Sequence, residues 1–380
     1  MKKKEIKLNF ITLTPLWNGN VWNRTDQLRA SELFGSLRFW FEVICYFSGI
    51  TSKDNYEKGI LKDNFDSKTY DEIIQEKGVN FDTINEAFNK MDLPLPMRIF
   101  GCNGWGGMLK LKSIKLMGVN HKISFPDKFY VNKENFKISE TKPSNKEKSN
   151  WSAFYFPRGY FYGDFEITFE VVENILEPIF YPLLTYMEKY GYWGGKWNMG
   201  FGRLKIKNTL NNEKISRDKF EFSKFDSKRY KDKTIDELIE INEELSISSP
   251  MEEYTKFLFN LKKEDNNSCE EFLEKSPSKI TIARIMDLES DKEIKNEKEK
   301  EILEKLIALK VKLRSYLRLQ NSDAKKDEEM KNIRHLVFGE RGEGSKILPY
   351  IDLREGKFKG GFLSIVGFSQ LKLGEEECHD

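Results

Sequence analysis

Residues 190–203 read Tyr190-Gly191-Tyr192-Trp193-Gly194-Gly195-Lys196-Trp197-Asn198-Met199-Gly200-Phe201-Gly202-Arg203. Glycine is costly inside a helix or strand, and rings need burial or a stacking partner. The stretch is therefore expected to be a loop, with glycines free to take positive φ and to let the backbone approach a neighbour closely. Two readings follow. It is a turn packed by its own aromatics, or a cradle in which rings stack on bases while Lys196 and Arg203 meet phosphates. No Gly-Lys-Ser/Thr closes it, so it is not a phosphate-binding P-loop, and it holds no catalytic base.

The flanks supply regular structure. A helix is expected over about 177–190 and a strand over 204–207. At the other end of the chain Ile6, Leu8 and Phe10 alternate with Lys7 and Asn9, the period of a half-buried strand. Thr14-Pro15-Leu16-Trp17-Asn18-Gly19-Asn20 breaks that strand, and Leu33, Leu37, Trp40, Ile44 and Phe47 then share one helical face. Arg29, Ser36 and Arg38 lie near that helix's start or off its apolar face, where free amides and arginines suit phosphate as well as plain solvent.

Residues 48–95 read as a polar insertion with short helices over 70–76 and 81–91. The Lys-, Asn- and Ser-rich run 131–150 is expected to be a mobile loop. Phe165, Ile167, Phe169 and Val171 mark another strand, and polar residues 208–233 are the best linker candidate. Beyond it helices are expected over 235–244, 251–261 and 293–320, while periodicity leaves 279–285 undecided between strand and helix. On the long helix Lys310, Arg314 and Arg318 line up late, where the macrodipole alone accounts for basic residues and an RNA contact is the alternative.

Val337-Phe338-Gly339-Glu340-Arg341-Gly342-Glu343-Gly344 echoes Ile99-Phe100-Gly101-Cys102-Asn103-Gly104-Trp105-Gly106. Each is a β-branched aliphatic, Phe, Gly, two residues, Gly, one residue, Gly, placed between a helical region and an apolar strand. The match points to a duplicated module.

At 380 residues and 39% hydrophobic the chain has room for about two domains with real cores. Net charge is only +2, so any nucleic-acid role rests on local patches. Cys45, Cys102, Cys269 and Cys378 show no C-x-x-C spacing, which argues against zinc and a disulfide framework and suits a reducing cytoplasm. The longest apolar run, 39–47, contains Glu42 and is too short to span a bilayer. Of three histidines only His121 offers an acid–base candidate, and Asp26, between Arg24 and Arg29, is the one acid in a plausible phosphate site. Such an aspartate more often caps a helix or pairs with arginine.

The first strand, Thr14-Pro15-Leu16-Trp17-Asn18-Gly19, then Gly35-Ser36-Leu37-Arg38-Phe39-Trp40, the Phe100-Gly101 motif and the glycine-rich loop together resemble the RAMP superfamily of CRISPR proteins. Within it they most resemble the subunit-one family of type III-B Cmr effector complexes. The resemblance covers 5–45 and 95–207, is thin over 208–330 and returns at 337–365; Asn20 stands where a second glycine is common.

It implies an α+β protein of tandem RRM-like (ferredoxin-type) modules with helical insertions. The modules are expected over 1–210, with the insertion at 48–95, and over 211–380, helix-rich and diverged. The expected function is a non-catalytic RNA-binding subunit without cofactor, metal or membrane, cytoplasmic, capping the complex at the guide-RNA 3′ end and supporting target RNA binding beside other Cmr subunits. RNA contacts carried over by motif are Asn18, Gly19, Arg29, Ser36, Arg38, Lys196, Trp197, Asn198 and Arg203; sequence context adds Arg158 and Tyr160. The rival is a RAMP endoribonuclease that processes CRISPR transcripts through Asp26 or His121.

Overall fold

Alternation at the N-terminus becomes strand β1 (Lys3–Thr12), which buries Leu8 and Phe10 and leaves its lysines toward solvent. A computed structural model describes residues 1–18, 28–119, 128–144, 150–155, 159–209, 217–262, 268–291, 297–319, 324–340, 344–354 and 356–371. Helix α1 (Ala30–Phe47) follows, burying Leu33, Leu37, Trp40 and Ile44 as their spacing requires. The insertion carries α2 (Ser67–Lys77) and α3 (Phe81–Lys90), capped by Asp66 and Asn80 side chains that accept from Lys68 and Thr83 amides. Helix α4 (Leu95–Phe100) then ends at Gly101, whose φ of 95° only glycine adopts readily.

Strands β2 (Leu109–Val119), β3 (Gly163–Val172) and β4 (Leu204–Thr209) complete a sheet in the order β2-β3-β1-β4. Every neighbour in it is antiparallel. Helix α5 (Tyr181–Lys189) joins β3 to β4, preceded by a wide turn over Leu176–Phe180. Pro178 and Pro182 withhold amide donors there, and the helix expected over 177–190 begins as this wide turn and continues without a break into α5. The result is a ferredoxin-type βαββαβ module.

A second sheet runs β5 (Ile239–Leu245), β6 (Ile280–Asp291), β8 (Lys357–Ser364), β7 (Ile347–Arg354), in that spatial order. Helices α6 (Met251–Phe259) and α7 (Cys269–Lys275) connect β5 to β6; α8 (Glu297–Leu319) and α9 (Ala324–Phe338) connect β6 to β7. Strand β8 is antiparallel to both β6 and β7, which repeats the split βαβ arrangement of β1, β3 and β2. The position held by β4 in the first sheet is taken by β5, which arrives from before β6 and runs parallel to it. The chain is thus an α+β tandem of RRM-like modules.

Equivalent hydrogen bonds accompany the sequence echo. Gly101 N donates to Met97 O at 2.9 Å and Gly339 N to His335 O at 2.7 Å; Met108 N donates to Ile99 O and Lys346 N to Val337 O, both at 2.8 Å. Each pair closes a helix on a positive-φ glycine and brings the chain back beside the helix end before the second strand of its module.

Two local expectations are corrected and one left open is resolved. The stretch 235–244 is one helical turn, Ile235–Leu238, closed by a Thr234/Glu237 capping box, and then β5. Pairing with β6, Ile239 opposite Ile280, outweighs the helix preference of its glutamates. The described part of 131–150 is not a mobile loop: Lys128–Asn132 pairs with Ile138–Ser139 and with Trp151–Tyr155. Phe129 stacks on Phe154 there at 5.5 Å. The undecided 279–285 is strand.

One apolar cluster runs through both modules, joining Phe10, Phe165 and Trp193 to Leu348, Tyr350 and Leu363. The modules approach closely at Gly200, where an added Cβ would lie 2.5 Å from a Leu303 methyl.

Candidate nucleic-acid interface

The glycine-rich loop leaves α5 and is held on both sides. Trp193 N donates to Gly202 O, Gly202 N to Pro15 O, and Gly195 N to Trp17 O, each at 2.8 Å. Gly194 N donates to Ser36 Oγ at 2.9 Å, which ties the loop to α1. Gly194 sits at φ 69°, and an added Cβ would fall 2.3 Å from Trp17 O, so both its missing side chain and its backbone freedom are required. Tyr190, Tyr192, Trp193 and Phe201 are buried; for them the reading of a turn packed by its own aromatics is right.

Lys196 and Asn198 face solvent, and Trp197 is half-buried. Lys196 adopts φ 61°, and its Nζ lies 4.9 Å from the Trp17 ring centroid. Trp197 leans on Phe39 at 5.1 Å and Trp40 at 5.7 Å, leaving part of its surface open.

These residues border a cleft of about 660 Å³ between the modules. One wall is Gly194 to Asn198. The other is Arg314 of α8 with Phe338, Gly339, Glu340, Gly344, Ser345 and Leu348. The second Phe-Gly motif therefore faces the glycine-rich loop. A shallower hollow continues past Gly194 and Trp197 to Trp17, Glu32, Gly35, Ser36 and Phe39. A third, smaller one runs beneath Asn198 and Arg314 to Phe154, Ile307 and Lys310. Burial, and then the charge of Arg314, brings the Lys310 amine down to about 7. Burial and the neighbouring Arg334 also lower Arg314, opposed by Glu340. Burial raises the Glu32 carboxyl against the pull of Arg29.

Of the residues expected to touch RNA, Ser36, Lys196, Trp197 and Asn198 line this connected surface. Arg29 is exposed at the N-cap of α1. Others serve the fold. Arg203 is fully buried, and its guanidinium donates to the carbonyls of Gly191, Glu188 (3.1 Å), Lys189 (2.6 Å) and Ile351 (3.1 Å). It also lies over the Tyr192 and Tyr350 rings at 5.4 and 5.0 Å. Four of its five N–H groups are used inside the fold and the side chain is buried, so it does not border the cleft.

Asn18 is likewise buried, its amide 3.4 Å from Arg29 O. Arg38 donates to Glu42 and to Gly101 O, each at 3.0 Å, joining α1 to the first Phe-Gly motif. Tyr160 packs edge-on against Phe201 at 6.2 Å and does not border the cleft. Gly19, Arg158, Asp26 and His121 lie outside the described residues. Sequence reading named Lys310 and Arg314 only as an alternative RNA contact and did not place Arg314 or the second Phe-Gly motif opposite the loop. Among the described residues no group of three or more His, Cys, Asp or Glu is placed to hold a metal ion, and no helix is long and apolar enough to cross a membrane.

Two βαββ units, with a glycine-rich loop on the first and beside it a cleft bordered by Lys196, Arg314 and Glu340, define a tandem ferredoxin-type protein. The model of the RAMP superfamily matches residues 9–205, about half of the chain, and the chain belongs to that superfamily. Among solved structures it is similar to Cmr1 from Pyrococcus furiosus in its apo form, at 14% identity and a TM-score of 0.35, over 95% of this chain and 87% of that one. It is also similar to a chain of the type III-B Cmr-beta complex bound to cognate target RNA and AMPPnP in the presence of single-stranded DNA. There identity is 11% and the TM-score 0.34, over 98% of this chain and 99% of that one. No curated protein sequence matches.

Proposed function

We propose that this chain is a non-catalytic RNA-binding subunit of a type III-B CRISPR effector complex, seated beside other Cmr subunits at the guide-RNA 3′ end and supporting target RNA binding. The observation that carries the reading is the cleft: immobilised main chain, a partly open Trp197, and Lys196 and Arg314 on opposing walls. Fixed amides, cations and a stacking ring hold a strand by backbone and shape and tolerate any base, which is what a guide of variable sequence requires. Superfamily membership and the subunit-one resemblance of Gly35-Ser36-Leu37-Arg38-Phe39-Trp40 support the same reading.

Photocrosslinking in a reconstituted complex tests it, with Lys196→Ala/Trp197→Ala as the control. The expected result is a guide crosslink within 194–198 that the double variant loses, with affinity falling alike for unrelated guides. A crosslink to distant residues only, or equal affinity in the variant, overturns it. Specific cleavage of repeat RNA by the purified chain would instead favour the endoribonuclease.

A further inference from the structure

We propose that Lys310 and Arg314 of α8 and Arg334 of α9 form a phosphate-binding site at the α8 end of the cleft. The inference rests on the RNA-binding reading, which already uses Arg314 as one wall of the cleft, and adds Lys310 and Arg334 to it.

Three observations converge. First, position: Arg314 lines the main cleft and, with Lys310, the smaller hollow beneath it, and Arg334 lies within electrostatic reach of Arg314. Second, pairing: among the described residues no carboxylate forms an ion pair with any of the three, although most other half-exposed cations carry one, such as Lys300 with Glu140 and Lys305 with Glu301. Lys310 Nζ donates one hydrogen bond, to Ile347 O at 2.7 Å, and two ammonium hydrogens stay available. The nearby acid, Glu340, lies 3.1 Å from His335 Nδ1 and also borders the cleft near Arg314 without an ion pair to it. Third, the macrodipole does not explain them. Its influence is confined to the last turn of a helix ending at Leu319, which accounts for Arg318 but not for Arg314 or Lys310, about one and two turns further back.

Among the described residues the three cations face a single nearby carboxylate, Glu340, so like-charge repulsion among them exceeds what that acid offsets, and an anion bound among them lowers it. Two guanidinium forks and an ammonium suit the oxygens of one phosphate. Its sources are an internal phosphodiester of the RNA strand, a terminal phosphate, or free phosphate.

The first test needs no RNA. Thermal melts of the full chain are compared in phosphate and in chloride at equal ionic strength, for the wild type, Arg314→Gln/Arg334→Gln and Lys196→Gln. The general salting effect is common to all three. The wild type and Lys196→Gln should gain about 2–4 °C over the arginine double variant in phosphate. Equal gains in all three overturn the site.

The second test separates the sources. For RNA, the double variant should reduce the slope of log affinity against log salt by about 1.4, roughly 0.7 for each lost contact on a single strand. One neutral methylphosphonate linkage, or removal of a terminal phosphate, should erase the difference from wild type and identify which phosphate is held. An unchanged slope overturns the RNA-phosphate assignment. If the arginine variant keeps its slope while Lys196→Ala/Trp197→Ala loses binding, this site fails and the RNA-binding reading stands; if the phosphate melts separate and no variant alters RNA binding, the reverse holds.

Discussion

Arg203 offers the sharpest separation between a residue that binds ligand and one that holds the fold. Its guanidinium donates to three carbonyls at the end of α5 and the start of the glycine-rich loop and to a fourth, Ile351 O, in the second module. Arg203→Met keeps much of the stem's volume and removes every donor, leaving four carbonyls without that partner in a dry site. Leaving buried carbonyls without a partner costs about 1–3 kcal/mol each, and relief of the arginine's own desolvation brings the net to about 3–5 kcal/mol. Unfolding entropy of about 2.1 cal/mol/K per residue gives roughly 0.8 kcal/mol/K for a chain of this length. The expected drop in Tm is therefore about 4–6 °C, read by differential scanning calorimetry. Because Arg203 bridges the modules, the variant's transition should also broaden or split. A melt within 1 °C of wild type together with loss of RNA affinity would refute this internal role and restore Arg203 as a contact.

Two further outcomes follow from single residues. Lys310 titrates near 7 in the fold, below its unfolded value of 10.5, so the unfolded chain holds the proton more tightly. The resulting penalty is complete below about pH 7 and disappears as pH rises toward 10.5. Lys310→Met should gain more stability over wild type at pH 6 than at pH 9 in urea titrations, whereas phosphate binding by wild type should strengthen as pH falls from 8 to 6; a flat wild-type profile contradicts both. Gly194→Ala should cost more than about 2 kcal/mol in the same assay, since a left-handed φ alone costs about 1–2 kcal/mol and the Cβ meets Trp17 O; a change below 0.5 kcal/mol, roughly the scatter for a harmless surface substitution, would show that the loop relaxes freely.

Much of the scaffold was legible because its signals are local. The 3.6-residue spacing of Leu33, Leu37, Trp40 and Ile44 specifies the buried face of α1, and period-two alternation at Phe165 to Val171 specifies β3. The Phe-Gly echo reports two helix ends that close on the same kind of positive-φ glycine, a local requirement visible in sequence. Strand β5 was not legible, because Ile-Glu-Ile-Asn-Glu-Glu-Leu carries its strand identity only once β6 lies alongside.

The candidate site divides in the same way. Composition and spacing alone determined that residues 190–203 form a glycine-aromatic loop between a helix and a strand, and that the chain repeats a motif. Tertiary structure decided which side chains of that loop meet solvent: Arg203 turns inward to four carbonyls, while Lys196 is held out over Trp17. It also decided that Arg314, 118 positions further along the chain than Lys196, stands across the cleft from it. A cation's chemistry is identical in either setting; whether it is spent on the fold or left for a ligand depends on which acceptors the packed modules bring within reach, and that is a property of no local segment.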